Sequence, residues 1–196
     1  MIAEVRQSIA TLILKSTKGT NLARWRHVTR FDLDWNERVA LIGSLIAPES
    51  VVLEFGAGRQ ILQSLLPQTC TYIASDVIPR NEKTFVCDLN ASNLPTLPLH
   101  DTAVFSGVLE YIHDVPRVLD HLMASTEVII PSYAPCRHRN ISTRYRRLVH
   151  GWVNAYTKSE FEQLFETRGY RREAELPWKS QFIWRFRKVA NNVIHS

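Results

Sequence analysis

The chain has 196 residues, enough for one domain in which a sheet is covered by helices on both faces, and its 45% hydrophobic and 22% charged content is ordinary for a globular protein. No apolar run reaches the roughly 18 residues of a membrane span, and Glu4 and Arg6 interrupt the start where a signal peptide would stay apolar, so the expected location is cytoplasmic. Cys70, Cys87 and Cys136 form no Cys-x-x-Cys pair and are odd in number, which argues against a disulfide framework or a metal cluster. Net charge is +5, with arginine outnumbering lysine eighteen to six.

Ile2, Val5, Ile9, Leu12 and Ile13 recur at near-helical spacing and predict an amphipathic N-terminal helix. Such a helix can dock on the domain, cover a substrate or touch a membrane surface; docking is the default for a short segment whose charged face is not notably basic. Lys15 to Thr20 reads as a loop. Asp34 with Glu37 three residues on predicts a capping box, and Trp35, Val39, Ile42 and Ile46 one apolar helix face, ended by Pro48.

Val51 to Phe55 is an apolar run that ends in Gly56-Ala57-Gly58, the pattern of a buried parallel strand turning abruptly into a helix, here expected from Arg59 to Leu66. Glycines let the backbone bend tightly and let a ligand approach the N–H groups of the following helix. Cys70 to Asp76 is a second strand ending in a carboxylate eighteen positions beyond Gly58. In nucleotide-binding βαβ units an acid at that distance receives ribose hydroxyls.

Thr84 to Leu89 reads as a third strand with its own acid, Asp88, after a connection too short for a full crossover helix. Thr102 to Ser106 is the fourth strand, followed directly by Gly107 and the segment to Asp114. A helix is expected from about Val115 to Ala124, and a fifth strand from Glu127 to Ile130, stopped by Pro131. Arg137, Arg139, Arg144, Arg146 and Arg147 then meet no acid, which suits either an anion site or a solvated helix face. Thr157 and Glu160 predict a capping box for a helix carrying Phe161, Leu164 and Phe165, with Gly169 as its stop. Tyr170 to Leu176 and Gln181 to Lys188 are two further strands; in the second, Phe182, Trp184 and Phe186 alternate with a wetter face of Ile183, Arg185 and Arg187.

The order strand–Gly-x-Gly–helix, strand–Asp, strand–Asp, strand–Ser-Gly resembles the class I S-adenosylmethionine-dependent methyltransferases over about residues 34 to 188, through Val52-Leu-Glu-Phe-Gly-Ala-Gly58, Ala74-Ser-Asp76, Val86-Cys-Asp-Leu89 and Ser106-Gly-Val-Leu-Glu-Tyr-Ile-His-Asp114. The length and the segment Val128 to Pro135 are also loosely similar to MetW-like methyltransferase-domain proteins. The resemblance implies an α/β fold with a Rossmann-like seven-stranded, mostly parallel sheet and a C-terminal antiparallel hairpin. Residues 1–33 would then form an N-terminal helix and substrate-side extension, and residues 34–196 a single cofactor-binding domain.

It further implies S-adenosylmethionine as cofactor. Glu54 would meet the ammonium of its amino-acid tail, Gly56, Ala57 and Gly58 would give backbone clearance, and Asp76 with the adjoining Val77 would hold the ribose. Asp88 and Leu89 would meet the adenine edge, while Ser106 and Gly107 close the pocket beside the methionine portion. Tyr111 is the first candidate for an aromatic face on the sulfonium, and His113 for a base if the acceptor is a hydroxyl; His150, near Trp152 and Asn154, ranks behind them. Two departures from the family pattern are Gln60, where many relatives carry a third glycine, and the short connection after Asp76.

The acceptor expected first is a small molecule. RNA, reached through Arg137 to Arg147, and a non-catalytic cofactor-binding module acting through a protein partner are the alternatives. A dinucleotide dehydrogenase would want a glycine at Ile61, and a DNA amino-methyltransferase an Asn- or Asp-Pro-Pro-aromatic motif where Ser106-Gly-Val-Leu stands.

Overall fold

The computed structural model describes residues 2–189, so Met1 and residues 190–196 of the two expected segments lie outside it. Seven strands form one sheet in the order β3-β2-β1-β4-β5-β7-β6. They are β1 (Val51–Phe55), β2 (Thr71–Asp76), β3 (Phe85–Val86), β4 (Thr102–Phe105), β5 (Val128–Tyr133), β6 (Tyr170–Trp178) and β7 (Gln181–Lys188). The first five run parallel and β7 is antiparallel to both β5 and β6, which is the expected mixed sheet with its terminal hairpin. No helix connects β2 to β3, in keeping with the short connection between them.

Each face of the sheet is dry. Helices α4 (Val115–Leu122) and α6 (Lys158–Glu166) cover one side, where Leu53, Phe55, Phe105, Ile129, Trp184 and Phe186 are all buried. A ladder of rings fills this layer: Phe165 stacks on Phe186 at 4.1 Å and Tyr133 on Phe161 at 4.3 Å. Burying a side chain of this size is worth about 1.5–3 kcal/mol. Helix α3 (Trp35–Gly43) and the 3-10 turn Ile61–Leu65 cover the other side over Val52, Val104, Ile130 and Ile183. Ile183 is thus as buried as Trp184, and the wetter face expected for β7 is confined to its arginines.

Several elements differ from expectation for identifiable reasons. After the glycine turn there is a five-residue 3-10 helix, because Gln60 sits in the left-handed region (φ 57°, ψ 32°) and Pro67 closes the segment soon after. Strand β5 does not stop at Pro131 but continues to Tyr133; Pro131 stays in register with Phe105 although it has no N–H to give the ladder. Strand β6 likewise runs through Pro177, which an edge strand tolerates.

The Asp34–Glu37 capping box does not form: Asp34 pairs with Lys179 and Glu37 accepts from the Trp178 indole N–H. The Thr157–Glu160 box does, with both reciprocal bonds. The arginine-rich segment is a helix, α5 (Ile141–His150), capped by Asn140 and stopped at Gly151.

The N-terminal helix, α1 (Ile2–Thr17), packs against α5, but with its polar side. Ser8 and Thr11 are its buried residues, and the Thr11 hydroxyl reaches the Leu148 carbonyl at 2.8 Å. Ile2, Val5, Ile9, Leu12 and Ile13, the stripe expected to dock, face outward. Helix α2 (Leu22–Trp25) and the chain up to Phe31 then pass over the C-terminal ends of the strands.

Candidate functional site

Between β1 and β4 the sheet order reverses, and the crevice beyond the strand ends at such a switch point is where open α/β sheets hold ligands. A cavity of about 470 Å³ lies there, within the size range of small-molecule sites. It is lined by Glu54, Gly56, Ala57 and Gly58 after β1, Asp76 and Val77 after β2, Asp88 and Leu89 after β3, and Ser106, Gly107 and Tyr111 after β4. All ten residues expected around a cofactor therefore share one wall, together with Tyr111.

The glycines are required by contact as well as by conformation. At Gly56 (φ +68°) a Cβ would meet the Val108 side chain at 2.5 Å, and at Gly58 (φ +50°) it would meet the Phe31 ring at 2.7 Å. Gln60, by contrast, is not part of the lining; its side-chain oxygen accepts a bond from the Asn81 amide at 3.2 Å, away from the cavity.

Asp76 is saturated. Its oxygens accept from the N–H groups of Gly58 at 2.9 Å and Ile78 at 3.1 Å, and from Arg80 through Nε at 3.0 Å and Nη2 at 3.2 Å. Those four bonds use about all of a carboxylate's acceptor sites. Arg80 is itself nearly buried, donates to the Trp25 carbonyl at 2.8 Å and lies over the Phe31 ring. It ties the Asp76 carboxylate to the segment that roofs the cavity. Asp88 is similarly engaged, accepting from Asn90 N–H and from the Thr20 hydroxyl at 2.7 Å.

Glu54 is 2% exposed, and burial raises its carboxyl to a pKa of about 8, against the hydrogen bond from the Tyr72 hydroxyl. Near it lies Arg38, which sequence reading missed. A charged residue on the buried face of α3, between Trp35 and Val39, was the available signal. Its guanidinium donates to Ser106 Oγ and carbonyl at 3.3 Å each and to Gln181 Oε1 at 3.0 Å, and sits between Trp35 and Trp178. Burial lowers its pKa, with Glu110, Tyr111 and Glu54 acting the other way. These bonds are all to neutral groups, so Arg38 presents a positive charge to the cavity.

The aromatic wall comes from the roof. Trp25 meets Tyr111 edge-on at 4.7 Å, and the Arg24 guanidinium lies 5.4 Å from the Tyr111 ring centre. His150 stacks on Trp152 at 4.6 Å, and both line the cavity. Its pKa is lowered, first by burial and then by Arg24, Arg146 and Arg147. His113 is not in the lining: its Nε2 is 3.1 Å from the Gly19 carbonyl and its backbone N–H bonds to Asn90, so it pins the N-terminal loop instead.

The arginine cluster is not one surface. Arg147 turns inward to the carbonyls of Ala134 and Asn154 and the Tyr133 hydroxyl, and Arg139 pairs with Glu160, leaving Arg137, Arg144 and Arg146 outside. Among the described residues no group of His, Cys, Asp or Glu is arranged to hold a metal, and no helix is long and apolar enough to cross a membrane.

Sheet order, glycine turn and a carboxylate at each of the next two strand ends together define a class I S-adenosylmethionine-dependent methyltransferase. The comparison with protein families agrees: the model described as "Methyltransferase domain" matches residues 24–175, and the chain belongs to that family. Among solved structures, the 1,6-didemethyltoxoflavin-N1-methyltransferase of Burkholderia thailandensis, with 1,6-didemethyltoxoflavin and S-adenosylhomocysteine bound, superposes with a TM-score of 0.65 at 17% identity, over 91% of this chain and 88% of that one. An S-adenosylmethionine-dependent methyltransferase of Aquifex aeolicus gives 0.56 at 14% identity, over 80% and 90%. Mitomycin 7-O-methyltransferase gives 0.60 at 16% identity over 79% of this chain, which spans 54% of that enzyme. At these identities the likeness is one of fold. A search of curated proteins found no match.

Proposed function

We propose that this protein transfers the methyl group of S-adenosylmethionine to a small-molecule acceptor bound under residues 20–38, and that residues 1–33 serve as the substrate-side extension of the domain. The observation that carries this reading is the single cavity shared by the strand-end carboxylates and a roof of aromatic and cationic side chains. The cofactor supplies a methyl group on a sulfonium, so an acceptor held in line with it needs little further activation.

The chain's own residues divide the work. Gly56, Ala57 and Gly58 leave room for the tail; the Arg38 guanidinium faces its carboxylate, and Glu54, which burial holds protonated at pH 7, gives up its proton as the ammonium comes beside it. Asp76, beside Val77, receives the ribose hydroxyls once Arg80 swings away, since its acceptor sites are otherwise full. Asp88 and Leu89 border the adenine, and Ser106 and Gly107 close the methionine end. Tyr111 and Trp25 turn aromatic surface toward the cation, an interaction worth about 0.5–2 kcal/mol.

His150 is the better supported proton acceptor for a hydroxyl substrate, because it lines the cavity and its lowered pKa keeps it neutral at pH 7. Neighbours of the same fold named for small molecules, 1,6-didemethyltoxoflavin and mitomycin, support a small acceptor. The inward turn of Arg147 and the pairing of Arg139 make the helix a poorer RNA surface than its sequence implied.

Calorimetry with S-adenosylmethionine and S-adenosylhomocysteine, followed by transfer of labelled methyl groups to fractionated cell metabolites, tests the proposal. Binding with label in a small-molecule fraction is expected. Label that disappears after RNase treatment points to RNA, binding without transfer points to a partner-dependent module, and no binding by folded protein ends the enzyme reading.

A further inference from the structure

We infer that the face built by α1 and α5 is a docking surface for an anionic lipid bilayer. Ile2, Val5, Ile9, Leu12 and Ile13 fall within about 100° of helix arc. Each is between 45% and 73% exposed, whereas the buried positions of the same helix are Ser8 and Thr11. A helix that merely covered the domain would turn these around. It is held in the reversed orientation by the Thr11–Leu148 bond, with Gln7 close to Gly151 at one end and Lys15 beside Arg144 and Arg147 at the other, so α1 and α5 lie antiparallel. Helix α5 adds Ile141 and Tyr145, both exposed.

Charge decides which partner fits. Residues 2–18 and 137–150 together carry eight basic side chains, Arg6, Lys15, Lys18 and the five arginines of the cluster, against one acid, Glu4. With the chain at +5 overall, these two segments are +7 and the remainder of the sequence −2. The excess persists when the buried Arg147 and the Glu160-paired Arg139 are set aside. An aliphatic stripe bordered by cations is the signature of a helix lying in a bilayer interface, with its apolar face among the acyl chains and its cations at anionic headgroups. A second copy docked face to face would bring two positive surfaces together. A nucleic acid would use the cations but gain nothing from five aliphatic side chains, because bases stack on aromatic rings. With 16 residues α1 is about 24 Å long, and it would lie along the interface rather than cross it. The inference does not depend on which acceptor the cavity takes.

Co-sedimentation of the full chain with vesicles of phosphatidylcholine alone, or mixed with phosphatidylglycerol, tests it. Binding to the mixed vesicles is expected, at least about tenfold stronger than to the neutral ones and weakened by salt. The Ile9→Glu, Leu12→Glu double variant should lose about tenfold or more of that binding, and Ser16→Leu, which extends the exposed stripe, should gain a few-fold. Circular dichroism and cofactor calorimetry on each variant separate loss of the surface from loss of the fold. The gain expected of Ser16→Leu keeps the test open should the double variant not fold. Equal binding to both vesicle types, no binding to either, or no response to Ser16→Leu would overturn the inference. So would a dimer in analytical ultracentrifugation that Ile9→Glu dissociates while vesicles stay unbound, or an affinity for RNA that the double variant leaves intact.

Discussion

The floor of the cavity is made by the ends of adjacent parallel strands, and each of its polar groups is fixed by the strand that precedes it: Glu54 by β1, Asp76 by β2, Ser106 by β4. The roof has no such frame. It is assembled from residues 20–38, from His150 and Trp152, and from the β6–β7 turn, and its parts meet through contacts such as that of Arg38 with Gln181, 143 positions away. The floor thus follows from the strand order itself, whereas the roof depends on which side chains distant segments bring over it. Arg80 is the joint between the two, bonded at once to Asp76 and to the Trp25 carbonyl.

Breaking that joint from either side should therefore give opposite results at the cofactor. Asp76→Ala leaves Arg80 buried without its partner, at a cost of about 3–5 kcal/mol in stability, and removes the carboxylate proposed to receive the ribose, at about 1.5–3 kcal/mol in cofactor affinity. Arg80→Ala also destabilises, but frees two acceptor positions on Asp76, so cofactor affinity should rise by up to about tenfold, or 1.4 kcal/mol. Urea titration and calorimetry measure the two effects separately. Weaker cofactor binding in Arg80→Ala would mean that Arg80 contacts the cofactor itself, and the joint would then belong to the floor.

The roof's chemistry is sharpened by His150. His150→Gln should lower kcat by about 10²-fold or more, the range of general acid–base catalysis, and leave cofactor affinity unchanged. Burial and three arginines disfavour the imidazolium, so the neutral, proton-accepting form prevails at pH 7 and is lost only as pH falls through a midpoint below 6.5. Arg146→Gln removes one of those positive charges and should move the acid limb of the rate profile toward higher pH. If the limb stays put in Arg146→Gln or survives in His150→Gln, another group is titrating.

How much could be read from sequence follows the same division. The floor was legible because strand, glycine turn and terminal acid are contiguous: all ten positions named from the sequence line one cavity. The roof was not, since nothing local tells that Trp25, Phe31 and Trp178 converge or that His150 rather than His113 lines the cavity. Helix α1 was legible as a helix but not in its orientation, because periodicity identifies a stripe without saying which side is covered. Pro131 misled in the usual direction: a proline ends a strand only where the missing N–H is needed, and β5 pairs past it.

The smallest effect concerns Gln60, which follows the glycine turn but lies outside the cavity lining. Gln60 holds a left-handed conformation that costs a non-glycine residue about 1–2 kcal/mol, and its side chain leaves the cavity for Asn81. Gln60→Gly relieves that strain but adds about 0.4–1 kcal/mol of unfolded-chain entropy, so a net gain between about 0 and 1.6 kcal/mol is expected, with cofactor affinity unchanged. Gln60→Val, β-branched at positive φ, should instead lose about 1–2 kcal/mol. Should the glycine variant prove the less stable of the two in urea titration, the Asn81 bond rather than the backbone would be what Gln60 contributes. A change in cofactor affinity with either variant would return this residue to the wall of the site.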